Sequence, residues 1–293
     1  MRQDRDMKLR ATVIALAATA ALALPAITAT QANAAAPKTF TVGANRPTTV
    51  FLPALKLPKA PLLIMLHSYS TSGVHQENYM RLSQEASKRG IVYVHPDGTI
   101  DKKQNHFWNA AKACCDNFNA QPDDTDYITQ IINEIEKKTP IDRTKIYLVG
   151  HSNGAFMSIA FACATGKAAG VVSLAGAMDT DLSCATTKPF TFLQIHGDAD
   201  PTIKFAGGVL NKYPYTSAEE TLGRIATINK CDLQAQITST KKNFDPAIPG
   251  DETDAKTLSG CLKPTTLWRI NGGLHSPKLP KDYAQQILTY LIQ

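Results

Sequence analysis

Short apolar runs alternate along this chain with longer segments of helical period. Residues 62–66, 91–94, 145–149, 169–174, 190–195 and 266–270 are rich in Leu, Ile, Val and Phe with few polar interruptions. Continuous runs of that length read as strands covered on both faces, as in a parallel sheet. Residues 39–42 and 48–52 predict two antiparallel opening strands. Between the runs, residues 77–88 predict a helix ended by Gly90, and 127–138 an amphipathic one. Residues 155–165, rich in Ala, Met, Phe and Ile, predict a helix packed on a sheet. Ser217 and Glu220 form a capping box for a helix running to about Asn229, and 281–292 closes the chain. Strands alternating with helices predict an α/β fold, a mostly parallel sheet flanked by helices on both faces. No repeat, low-complexity linker or second domain interrupts the pattern.

The first residues stand apart. Arg2, Arg5, Lys8 and Arg10 precede an almost wholly apolar stretch, 11–24, that Pro25 breaks, and Ala32-Asn33-Ala34 supplies small residues for cleavage. This reads as a secretory leader over residues 1–34, followed by a single catalytic domain over 35–293. A membrane span is the alternative, but 14 apolar residues are too few. With four basic and two acidic residues gone, the net charge falls from +6 to +4. That mild excess names no partner, and no Lys/Arg run suggests nucleic acid. The expected product is secreted, extracellular or periplasmic, with no membrane span in the mature chain.

Six cysteines (114, 115, 163, 184, 231 and 261) in an exported chain predict disulfides. Cys231 and Cys261 flank a polar, irregular stretch and are expected to close it as a loop. Cys114 and Cys115 are expected to seek distant partners rather than each other. No C-x-x-C spacing or His pair suggests a metal.

The chemistry gathers around Gly150-His151-Ser152-Asn153-Gly154. G-x-S-x-G alone is common, but here it joins a predicted strand to a predicted helix, the setting of a nucleophile elbow. A serine hydroxyl needs a neutral imidazole to take its proton and a carboxylate to orient that imidazole. In this architecture the order is Ser, acid, His. Of seven histidines only His196 and His275 follow Ser152, and His275 lies just after the last strand among glycines. The acid should follow strand 190–195, where Asp198 and Asp200 both stand; Asp200 sits deeper, beside Pro201, and Asp198 suits a turn role. The oxyanion would be held by two backbone N–H groups, Asn153 and one from the loop after strand 62–66. Tyr69 is expected there, with Ser68 the alternative. No cofactor or metal is required by this chemistry.

These residues resemble the secreted polyhydroxybutyrate depolymerase / feruloyl esterase family of α/β-hydrolases. The resemblance runs from Leu62 to the closing helix through Leu66-His67, His95-Pro96-Asp97-Gly98-Thr99, Trp108-Asn109, Cys114-Cys115, Asp123-Asp124 and the pentapeptide. It continues through His196-Gly197-Asp198-Ala199-Asp200-Pro201, Asn229-Lys230-Cys231, Cys261, Trp268-Arg269-Ile270 and Gly272-Gly273-Leu274-His275-Ser276-Pro277. It implies a Ser152–Asp200–His275 triad and a carboxylic-ester hydrolase working through an acyl-enzyme. Two departures stand out. Ser68 occupies a position where the family usually has glycine, and Thr125-Asp126 replaces a small or apolar residue and a glycine. Asp126 reads as a helix N-terminal charge, and Trp108 and Asn109 as either acyl-pocket lining or structure. The expected partner is an ester: a small ester, a hydroxyalkanoate oligomer, or a feruloyl or acetyl group on polysaccharide. The closing helix leads us to expect no appended polymer-binding module. An acyltransferase using the same triad, or a non-catalytic polymer binder, are the rival classes.

Overall fold

A computed structural model describes residues 38–232 and 238–292. The leader read over 1–34 and the first residues of the domain read from 35 lie outside the described residues. In chain order the elements are β1 (Thr39–Val42), β2 (Thr48–Phe51), β3 (Ala60–Leu66), α1 (Gly73–Met80), α2 (Leu82–Lys88), β4 (Val92–Val94), β5 (Thr99–Ile100) and β6 (His106–Phe107). Then come α3 (Asp124–Lys138), β7 (Ile141–His151), α4 (Asn153–Thr165), β8 (Gly170–Leu174), β9 (Thr191–Gly197), β10 (Gly208–Leu210) and β11 (Tyr213–Tyr215). The chain closes with α5 (Ala218–Ile228), β12 (Thr238–Lys242), β13 (Thr253–Thr257), β14 (Thr265–Ile270) and α6 (Tyr283–Leu291).

Among the described residues ten strands form one sheet, ordered β1-β2-β4-β3-β7-β8-β9-β14-β13-β12. The six from β4 to β14 run parallel, and β1–β2 and β13–β12 add antiparallel edges. This is the α/β-hydrolase fold. Alternate residues of each central strand enter separate cores. Leu62, Ile64 and Leu66 pack with the buried isoleucines of α3 (128, 131, 132, 135) and with α4 and α5. Leu63 and Met65 pack with α2 and α6 through Leu82, Ala86, Ile287 and Leu288. Each such side chain taken from water stabilises the fold by about 1.5–3 kcal/mol. The N-terminus of α3 is capped by Asp123, whose carboxylate accepts the Asp126 N–H at 2.8 Å. Asp126 itself sits exposed in the first turn, as its reading as a helix-end charge requires.

Three expectations are corrected. The helix over 77–88 is two helices, broken at Arg81 (φ 54°). The reason is Glu77, whose carboxylate accepts the N–H groups of Leu82 and Ser83 and so starts a second helix. The stretch between Cys231 and Cys261 contains β12 and β13, which extend the sheet beyond β14. Cys231 and Cys261 are bonded, as are Cys163 and Cys184, but Cys114 and Cys115 bond each other. Their shared peptide is cis, which brings the Cα atoms to 3.0 Å, so neither needs a distant partner.

Candidate active site

Ser152 stands between His151, the last residue of β7, and Asn153, the first of α4. Its φ of 53° and ψ of −119° lie where non-glycine residues are rare and the backbone is strained. Hydrogen bonds hold the turn: the Ser152 N–H donates to Leu174 O (2.8 Å), and Ser152 O accepts from the Ala155 and Phe156 N–H groups. A Cβ on Gly154 would collide with Leu66 O, so α4 can start this close to β3 only with glycine there.

The loops that carry Asp200 and His275 leave the sheet side by side, because β9 and β14 pair with Ile270 opposite Gly197. A Cβ on Gly197 would strike Gly273 O. Across this contact His275 Nδ1 donates to Asp200 Oδ2 at 2.7 Å. Asp200 Oδ1 accepts the Thr202 and Ile203 N–H groups at 2.8 and 3.0 Å, and His196 Nε2 lies 3.3 Å from Oδ2. Burial alone would raise the pKa of Asp200. The hydrogen bonds from His196 and His275 and the nearby imidazole charge outweigh it and hold the carboxyl well below its usual range. With Nδ1–H given to Asp200, His275 presents Nε2 as a proton acceptor. Asp198 is occupied elsewhere: it accepts from Arg269 Nη2 (2.8 Å) and the Gly272 N–H (2.6 Å), tying the two loops together.

His151 joins the serine to the base loop. Its Nε2–H donates to His275 O at 3.0 Å and its ring lies 5.2 Å from the His275 ring. Burial lowers the His151 pKa to about 4, so at neutral pH it is an uncharged donor. Tyr79 adds a second tether, its hydroxyl donating to Pro277 O at 2.6 Å. Ser152 Oγ and His275 form no hydrogen bond in this resting geometry, and the serine hydroxyl caps no helix N–H.

On the other side of Ser152 the useful groups are main-chain amides. The Asn153 N–H opens α4 and has no intrahelical acceptor. The Ser68 N–H donates to Gln76 Oε1 at 3.1 Å, whereas the Tyr69 N–H has no partner among the described residues. The Tyr69 hydroxyl donates to Asp101 Oδ2 at 2.9 Å. His67 is fully buried; Nδ1 donates to Ser68 O (2.7 Å) and Nε2 accepts the Gly98 N–H (2.9 Å), and burial lowers its pKa to about 4. Trp108 is also fully buried, so it is structural and not a pocket wall. A cavity of about 340 Å³ lies instead against β12–β14 and α6, lined by Lys242, Thr266, Trp268 and Tyr290 among others. Among the described residues no group of three or more His, Cys, Asp or Glu is placed to hold a metal ion, and no helix is long and apolar enough to cross a membrane.

A family model, phospholipase/carboxylesterase, matches residues 49–227, from β2 through the elbow into α5. The chain belongs to that family. Feruloyl esterase B of Piromyces equi is 27% identical over 244 residues, covering 78% of this chain and 42% of that protein. A probable feruloyl esterase C of Aspergillus flavus is 28% identical over 156 residues, covering 53% and 51%. The chain thus spans about half or less of the length of these relatives. An acetyl xylan esterase from Aspergillus awamori shares the fold, with a TM-score of 0.62 at 13% identity, covering 86% of this chain and 99% of that one. For this phospholipase/carboxylesterase-family chain, ordering the histidines along the sequence picked out His275 but passed over His67, His151 and His196. All three are buried and each hydrogen-bonds a backbone atom of the site loops. The signal available in the sequence was their adjacency to Ser68, Ser152 and Gly197.

Proposed function

We propose that the protein is a secreted serine carboxylic-ester hydrolase. The carrying observation is the buried Asp200 hydrogen-bonded to His275 Nδ1, on a loop tethered by His151 to the strained Ser152 turn. Ser152 Oγ attacks the ester carbonyl carbon as His275 Nε2 takes its proton. Catalytic hydrogen bonds that are open at rest commonly tighten in the substrate complex. The tetrahedral oxyanion accepts from the Asn153 and Tyr69 N–H groups, each such donor contributing about 2.7–4 kcal/mol. Collapse returns the proton to the departing alcohol and leaves an acyl group on Ser152. Water, deprotonated by His275, then releases the acid. Asp200 orients the imidazole and stabilises its cation without taking the proton.

Membership of the phospholipase/carboxylesterase family and the esterase relatives support this reading. The substrate we favour is a feruloyl or acetyl ester on plant polysaccharide, after the relatives' names, with hydroxyalkanoate oligomers as the competing arm of the assay. The three disulfides and the leader support export. Hydrolysis of a short-chain p-nitrophenyl ester should fall at least about 10⁴-fold in Ser152→Ala with the fold retained by circular dichroism. Undiminished turnover in that variant refutes the proposal. Rates on methyl ferulate, acetylated xylan and hydroxybutyrate oligomers then rank the substrates.

A further inference from the structure

We infer that Trp108 is a positioning residue that fixes both halves of the oxyanion hole relative to each other, an inference that rests on the esterase reading above. The two N–H groups assigned to the oxyanion belong to segments 84 residues apart, at Tyr69 and Asn153. Trp108 touches both. Its indole Nε1–H donates to His67 O at 3.1 Å, two residues before Tyr69. Its own main chain forms a reciprocal pair with the Asn153 side chain: the Trp108 N–H donates to Asn153 Oδ1 at 2.7 Å, and Asn153 Nδ2 donates to Trp108 O at 2.9 Å. All three bonds are buried, with Trp108, His67 and Asn153 each fully excluded from solvent.

This arrangement explains why an asparagine follows the nucleophile. Its main-chain N–H faces the reaction while its side-chain amide, donor and acceptor both engaged, reads the backbone of a separate loop. It also bears on Ser68, the residue that departs from glycine. The 67–69 turn is held from outside by Trp108 at His67 O, by Gln76 at the Ser68 N–H, and by Asp101 at the Tyr69 hydroxyl. The loop's shape is therefore imposed by neighbours and does not depend on glycine at position 68. The ring of Trp108 is wedged in turn by His67 (centroids 5.1 Å) and stacked on Tyr127 (6.4 Å). A tryptophan serving only as core filler would satisfy its buried indole N–H with any acceptor, whereas here the acceptor is the carbonyl two residues before Tyr69.

Trp108→Phe separates the two roles, because it keeps most of the ring and removes the donor. Rates are taken per active site, counted by fluorophosphonate titration. The expected result is a kcat on p-nitrophenyl acetate lowered about 10-fold, with KM changed less than twofold. Affinity for a trifluoromethyl ketone, which forms a tetrahedral oxyanion on the serine, should weaken by the same factor as kcat/KM. Asn153→Ala, which keeps its N–H but loses both contacts to Trp108, should lower kcat further, approaching the roughly 10²-fold loss of one oxyanion donor. It also serves if Trp108→Phe does not fold. Unchanged kcat per titrated site in the folded variants, or a loss confined to KM, overturns the inference. Failure of the esterase reading looks different: wild-type protein would then not be labelled at Ser152 at all.

Discussion

In the proposed mechanism the two sides of Ser152 solve the same problem by opposite means. On the Asp200–His275 side the working groups are side chains, brought together by neighbouring parallel strands whose ends share a register. On the Tyr69–Asn153 side they are main-chain amides, and the side chains there (His67, Gln76, Trp108 and that of Asn153) hold the backbone in place. The first side should therefore be sensitive to residue identity at one or two positions. The second should tolerate a change of side chain at Tyr69 and fail when the backbone is altered, or when a side chain that holds it, such as that of Asn153, is removed.

The sharpest break of that contrast is Asp200→Asn. It preserves shape but removes the charge that orients His275, and kcat should fall about 10⁴-fold; steady-state kinetics showing less than a tenfold loss would remove Asp200 from the mechanism. Next is Tyr69→Pro, which deletes the N–H. A loss of about 10²–10³ in kcat is expected, against a change under about threefold for Tyr69→Phe, which keeps it. Equal effects from the two would mean that the hydroxyl matters and the amide does not. A third prediction treats the sides alike, since each contains a buried neutral histidine. His67 and His151 both fall to about 4 in the folded protein, while the unfolded chain takes up protons from about pH 6.5 downward. A depressed folded pKa gives stability that is complete above about pH 6.5 and lost as pH falls toward 4. The loss is at most about 3 kcal/mol per residue. Calorimetry from pH 7.5 to 4.5 should show Tm declining through that window, and a flat Tm would mean that neither ring is held neutral by burial. The smallest effect belongs to Asp198→Asn, where a partly exposed pair with Arg269 is lost. A change in kcat under about threefold is expected, and a larger one would mean that the wrong aspartate has been assigned as the acid.

The same contrast governs what the sequence made legible. The parallel strands and the strand–turn–helix around Ser152 could be read because apolar runs mark strands, and the proposed Ser–Asp–His order rests on the way topology orders the loops at their ends. The choice of Asp200 over Asp198 followed from its depth in the loop, and the geometry pairs it with His275. Trp108 was visible only as an ambiguous aromatic, since its meaning lies in contacts to a carbonyl 41 residues away and to a side-chain amide 45 residues away. Strands β12 and β13 (Thr-Ser-Thr-Lys-Lys and Thr-Asp-Ala-Lys-Thr) carry almost no apolar residues, so the edge pairing that places them leaves no periodic apolar signal. The Cys114–Cys115 bond joins neighbours in sequence, a pairing that residue types do not record.

That polar annexe has a bearing on His275, the proposed proton acceptor. Because β13 pairs with the outer side of β14, the strand leading to His275 is an interior strand, laddered on both flanks. Fraying is thereby shifted outward to β12, and amide hydrogen exchange should slow progressively from β12 through β13 to β14. A water-loving border thus gives the strand beneath the imidazole a hydrogen-bonded neighbour on each flank, as in the middle of the sheet.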